Sequence, residues 1–145
     1  MRSKLLHGGC GERSFGIILD SGDEAMHVLQ EFAVREDVGG AQLTAIGALS
    51  RATLAFFEWE SKQYRSIPVN EQVEVASLVG DIAIGPDRKP SIHLHAVLGR
   101  HDGTALAGHL LEAHVRPTLE IIVRESPVHL CKVKDLASGL ALIKL

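Results

Sequence analysis

The sequence predicts an α+β fold, a central antiparallel β-sheet with one or two helices packed on it. Short runs rich in Val, Ile and Leu recur between Gly, Pro, Asn or Asp, at intervals that suit hairpins rather than helical crossovers. Only one stretch, following Ser21, carries a clear helical period. The 145 residues are enough for one hydrophobic core without staples, so residues 1–145 read as a single domain, with no linker, low-complexity segment or internal repeat.

Taken in order, Phe15 to Leu19 is apolar nearly throughout and reads as a strand. Ser21-Gly22-Asp23-Glu24 offers a Ser-x-x-Glu capping box that opens a helix. Ala25, Val28, Leu29, Phe32 and Ala33 lie on one face of it, and Gly39-Gly40 is the expected stop. Strands are then expected at Gln42 to Ile46, Ala52 to Trp59, Gln63 to Ile67, Val73 to Ile84, Ile92 to Leu98, Thr104 to Leu111, Leu119 to Val123 and Leu140 to Leu145. The long strand over 73–84 alternates only partly, which suggests burial on both faces and a bend near Gly80. Phe56, Phe57 and Trp59 could line a ligand pocket, but a core strand beneath the helix is the favoured explanation.

Charge and composition exclude several classes. Lys plus Arg number 15 against 18 Asp plus Glu, a net charge of −3, so the chain as a whole is no electrostatic match for nucleic acid. Arg88, Lys89, Arg100, Arg116, Arg124, Lys132 and Lys134 are scattered and read as solvated surface, although an oligomer could gather them. Cys10 and Cys131 form no C-x-x-C pair, and a reducing cytoplasm is the simplest setting for them. Neither a signal-peptide run nor a membrane-spanning stretch is visible, so a soluble cytoplasmic protein is expected.

Chemistry concentrates in His93-Leu94-His95 and, past the His101-Asp102-Gly103 turn, in His109. Residues two apart on a strand share a face about 6.6 Å apart, close enough for both imidazoles to reach one metal ion. The connecting loop decides whether His109 joins them. A three-residue loop between Arg100 and Thr104, with Gly103 in the left-handed conformation, sets His109 opposite His95. A two-residue Asp102-Gly103 turn would pair it with Ala96 and send it to the other face. Three imidazoles with an open position match a catalytic-type zinc site, though imidazole also suits copper, iron and nickel. Each histidine singly, like His7, His27, His101, His114 and His129, has a structural explanation. Glu58, Glu74 and Glu120 lie in expected strands and could shuttle protons, or serve as ion-pair partners such as Glu120 with Arg124, and no catalytic residue is assigned.

Residues 72–80, Gln-Val-Glu-Val-Ala-Ser-Leu-Val-Gly, look like the Phe-Glu-Ile-Leu-Ser-Leu-Ser-Gly type strand of the plants-and-prokaryotes-conserved (PPC) domain family. Ile92-His93-Leu94-His95-Ala96, Asp102-Gly103 and Ala107-Gly108-His109-Leu110 resemble that family's histidine segments, with Ala107 in place of the first glycine of its Gly-Gly-His-Leu. The likeness extends over almost the whole chain. It implies a central antiparallel sheet, a homotrimer, and a zinc or similar divalent metal site at His93, His95 and His109. Bacterial members are described as DNA-binding, which implies a DNA-binding or regulatory role, while the fold's likeness to zinc-dependent acetolactate decarboxylase makes a small-molecule lyase or hydrolase the alternative. A purely architectural metal in an interaction module is a third reading. The Arg-Gly-Arg-Pro minor-groove hook of plant members does not occur in this sequence. Weak DNA contact, a small ligand on the metal and a partnership with two further copies are therefore the expected associations.

Overall fold

The computed structural model describes residues 1–9 and 11–145, and Cys10 lies outside the described residues. Among the described residues, nine strands and one helix follow in the order β1 (Arg2–Gly9), β2 (Glu12–Asp20), α1 (Ala25–Arg35), β3 (Gly40–Glu58), β4 (Gln63–Val69), β5 (Val73–Ile84), β6 (Pro90–Gly99), β7 (Ala105–Glu125), β8 (Cys131–Lys134) and β9 (Ala141–Lys144). The fold is thus mostly β with one short helix. β3, β5, β6 and β7 each pair antiparallel with the next and close a ring, since β7 pairs with both β6 and β3. β1 and β2 extend the sheet beyond β7, β4 pairs with the far half of β3, and the β8–β9 hairpin meets the end of β5 at Ile84 and Cys131.

Alternation carries the central strands into the core. Leu94, Ala96 and Leu98 of β6 are buried while His95 and Val97 between them are exposed; Leu119, Ile121 and Val123 of β7 are buried while Glu120, Ile122 and Arg124 are exposed. α1 covers this core with Ala25, Leu29, Phe32 and Ala33, Val28 lies at its margin, and Phe32 meets Phe15 edge-on at 5.2 Å.

Several boundaries differ from the sequence expectation. Ser21 is not the helix cap; Glu24 itself is, its carboxylate accepting from the amides of Met26 and His27 at 3.2 and 2.8 Å. The helix ends four residues before Gly39-Gly40. Asp37, in the left-handed conformation, lets its own amide reach Val34 and that of Val38 reach Ala33, a Schellman closure without glycine. The expected pairs of strands at 42–46 and 52–59, and at 104–111 and 119–123, are the single strands β3 and β7. Their breaks face one another, Gly47 opposite Leu119 and Leu49 opposite Val115, so both strands bend together through shared register shifts instead of ending. β1 was not expected because all its residues are exposed and it carries no alternation, and β8 is too short to show a period. The Phe56–Trp59 segment is not core: Phe56 and Trp59 are each 56% exposed, because the far half of β3 pairs with β4 away from the helix. Among the described residues no helix is long and apolar enough to cross a membrane.

Candidate metal centre

The β6–β7 connection is the three-residue loop. The amide of Arg100 reaches the carbonyl of Thr104 at 2.8 Å, the amide of Gly103 returns to Arg100 at 3.0 Å, and Gly103 takes φ 82°. Asp102 closes it by accepting from the Thr104 amide at 3.0 Å and hydroxyl at 2.6 Å, contacts that hold its carboxyl below the usual range. His109 therefore stands opposite His95.

All three imidazoles gather on one side of the sheet. Ring centres are 5.1 Å apart for His93 and His95, 5.0 Å for His93 and His109, and 5.6 Å for His95 and His109. One nitrogen from each lies within 4.8 Å of the others. Nitrogens around a tetrahedral ion at zinc–imidazole distance stand about 3.4 Å apart, so small ring rotations would close the set. His109 Nδ1 is buried with no hydrogen-bond partner, and such an orphan costs about 1–3 kcal/mol unless something unseen satisfies it. These residues fit a metal ion.

Burial, reinforced by the charge of its two histidine neighbours and Lys132, pushes the His109 pKa down to about 4. Burial, then His93, lowers that of His95. Both rings are consequently neutral at physiological pH, the state a metal ligand needs.

Tyr64 of β4 stacks on His109 with ring centres 4.8 Å apart, and Phe57 supports Tyr64 edge-on at 5.2 Å. Asp81, opposite His93 on β5, places Oδ2 3.5 Å from His93 Nδ1. Lys132 of β8, with a side chain only 4% exposed, reaches Asp81 Oδ1 at 2.8 Å and donates to the Ser91 carbonyl at 3.3 Å. The Lys132–Asp81 contact is an ion pair without good hydrogen-bond alignment, as Oδ1 is otherwise unpartnered. Burial opposes ionisation of Asp81, but His93 and Lys132 outweigh it and hold the carboxyl below its ordinary range. A cavity of about 170 Å³ opens beside His93 and His109, walled by Tyr64, Lys132 and the β9 edge at Leu140 to Leu142.

Of the residues named from sequence, the three site histidines converge and the others do not. Glu58 pairs with Arg65 at 3.1 Å, Glu74 lies opposite Gly99 at the far end of β5, and Glu120 is exposed on β7, so none borders the cavity. Among the described residues no ion pair joins Glu120 to Arg124. His27 meets Glu31 at 3.1 Å, His114 meets Glu112 at 2.6 Å and Arg51 at 3.0 Å, and the ring of His129 covers Gly39. Lys132 is a correction, since it is buried and paired instead of solvated. Tyr64 and Asp81 were not singled out. A carboxylate inside the apolar run of β5 was the available signal for Asp81; nothing local marks Tyr64 or Lys132.

Residues 7–127 match the Plants and Prokaryotes Conserved (PCC) domain. A plant- and prokaryote-conserved protein of Pyrococcus horikoshii is similar at 29% identity and TM-score 0.85, covering 92% of each chain. A metal-containing protein of Archaeoglobus fulgidus has the same identity and TM-score, covering 100% of this chain and 99% of its own. A candidate DNA-binding protein of Ralstonia eutropha is 30% identical, with TM-score 0.84 and 90% of each chain covered. A Staphylococcus aureus protein similar to α-acetolactate decarboxylase shares the fold alone, at 12% identity and TM-score 0.56 over 77% of this chain and 51% of that one. No curated protein matches.

Proposed function

The chain belongs to the Plants and Prokaryotes Conserved domain family, and from that premise we propose that it is a homotrimeric, metal-binding protein with a DNA-binding or regulatory role. Each chain, a single domain over residues 1–145, takes one zinc-class divalent ion through His93, His95 and His109. The observation that carries the metal reading is the convergence of those imidazoles from two neighbouring strands, with one nitrogen from each within 4.8 Å of the others. The similar Archaeoglobus protein is described as metal-containing, which supports it. The regulatory role is supported by the likeness to the Ralstonia protein. The cytoplasm is its proposed compartment, from having only two cysteines and no C-x-x-C motif.

Trimerisation is supported by apolar side chains on the outer face of the sheet. Ile46, Val79 and Ile122 are exposed and line one shallow hollow across β3, β5 and β7, a surface that solvent alone does not favour. Val79 lies opposite His95, so a neighbouring copy seated there would also cover the metal site.

Bound by three neutral imidazoles, the ion would keep its full charge and an open position able to polarise an oxygen ligand or acidify bound water. His93, His95 and His109 hold it, and Tyr64 shields one side of His109 from water. A second reading, a metal-dependent lyase or hydrolase for small oxygen-bearing acids, is favoured by the cavity of about 170 Å³, a size suited to a small molecule.

Element analysis of the purified protein tests the proposal. About one zinc-class ion per chain is expected, and His95→Ala should lose it while remaining folded, because that side chain is exposed. Full occupancy in the triple alanine variant of His93, His95 and His109 would refute the site. Light scattering that finds a stable monomer at micromolar concentration would refute the trimer.

A further inference from the structure

Lys132 is the buried cation whose presence stability alone does not explain. An ammonium taken out of water costs several kcal/mol, and an apolar side chain of similar volume commonly serves stability as well or better. This one is delivered by a four-residue strand whose position is set by the amide of Ile84 donating to Leu130 at 2.7 Å, at the end of the strand that carries Asp81. Its ammonium sits 2.8 Å from Asp81 Oδ1, and the other carboxylate oxygen faces His93 Nδ1 at 3.5 Å, too close for an intervening water. Metal-bound histidines commonly direct their second ring nitrogen at a carboxylate, which fixes tautomer and ring orientation.

We propose that Asp81 is the positioning residue for His93, and that Lys132, brought in by the C-terminal hairpin, holds Asp81 in place. Asp81 accepts the proton of His93 Nδ1, so the lone pair resides on Nε2, the nitrogen available to an ion shared with His95 and His109. β8 and β9 lie beyond residues 7–127, the part of the chain matched to the family model, so this support comes from the C-terminal hairpin outside that region. The same hairpin walls the cavity with Leu140, Ala141 and Leu142. The inference rests on the metal reading for its purpose, but the assignment of the His93 tautomer stands apart from it.

The experiment uses the full chain, with zinc as probe, in two arms. Long-range ¹H–¹⁵N correlation spectra of metal-free protein at pH 8 report which nitrogen of His93 carries the proton, and chelator competition reports zinc affinity. Wild type should show the Nδ1–H tautomer. Asp81→Ala should shift His93 toward Nε2–H and weaken zinc binding 10- to 100-fold. Asp81→Asn, which keeps an acceptor oxygen, should recover much of both, a rescue that a merely structural role would not produce. Since Asp81→Ala strands a buried ammonium, the double variant Asp81→Ala/Lys132→Met asks the same question without an orphan charge. An unchanged His93 tautomer, or zinc held as tightly as in wild type by the folded double variant, would overturn the proposal. Wild type that takes up no zinc would refute the metal reading, and the tautomer arm would then decide the role of Asp81 by itself.

Discussion

Replacing Gly80 with alanine should damage the fold and the metal site together. Gly80 lies in β5 between Leu43 of β3 and Leu94 of β6, and its neighbours Val79 and Asp81 pair with His95 and His93. A Cβ there would stand 1.9 Å from the His93 carbonyl oxygen and 2.7 Å from Leu94 Cδ2. The leucine tip can rotate away, but the carbonyl belongs to the strand. Reaching even a 3.0 Å contact requires β5 and β6 to part by roughly 1 Å, which stretches the adjoining ladder hydrogen bonds out of range. Overpacking at about 1–3 kcal/mol, with one or two ladder bonds at about 1 kcal/mol each, gives a loss of about 2–5 kcal/mol. With a urea slope of about 2 kcal/mol/M, the unfolding midpoint should fall by about 1–2.5 M. Gly99→Ala is the internal control: it lies in the same strand pair, and its Cβ would find nothing nearer than 3.8 Å. It should change stability by less than about 0.5 kcal/mol. Urea unfolding followed by far-ultraviolet circular dichroism, at one fixed chain concentration, measures both. Gly80→Ala as stable as the Gly99→Ala control would show that the strand spacing around the histidines is not as tight as argued. Zinc affinity should also fall in Gly80→Ala, because the displaced carbonyl belongs to a ligand residue.

Glu24→Ala removes the helix cap and the acceptor of the Ala113 amide at 2.9 Å, and should cost about 1–3 kcal/mol in the same urea assay, with Glu24→Gln milder. In metal-free protein the His109 pKa is depressed from 6.5 to about 4, so on acidification the unfolded chain takes up a proton that the folded chain refuses. Its contribution to stability is therefore fully present above about pH 6.5 and is lost as pH falls toward 4. Urea midpoints across that range should show a slope that His109→Gln reduces, and equal slopes would exclude His109 as its source. With a net charge of −3, binding to duplex DNA should be weak, sequence-independent and lost between about 50 and 200 mM salt. Fluorescence anisotropy showing tight, selective binding at physiological salt would instead establish base-specific recognition.

What the sequence determined by itself is what depends on local spacing. The helical face of Ala25, Leu29, Phe32 and Ala33 and the shared face of His93 and His95 follow from periods of 3.6 and 2, and the strand over 73–84 from its apolar run, all of which a single segment displays. The loop between β6 and β7 was legible only as two alternatives, because whether His109 faces His95 or the opposite side turns on one residue of register. Tertiary structure decided that register. It also joined the two long strands across their bends, since a bulge matched by a bulge on the partner leaves no local mark that distinguishes it from a chain break. The surroundings of the histidines were beyond local reading for the same reason. Tyr64 and Lys132 arrive from β4 and β8 through pairings outside the β6–β7 hairpin, and Asp81 arrives from β5 across a hairpin whose register neither strand fixes alone. Exposure of Phe56 and Trp59 has that origin too: an apolar run states that burial is favourable, but only the arrangement of the other strands determines whether a core lies beside it.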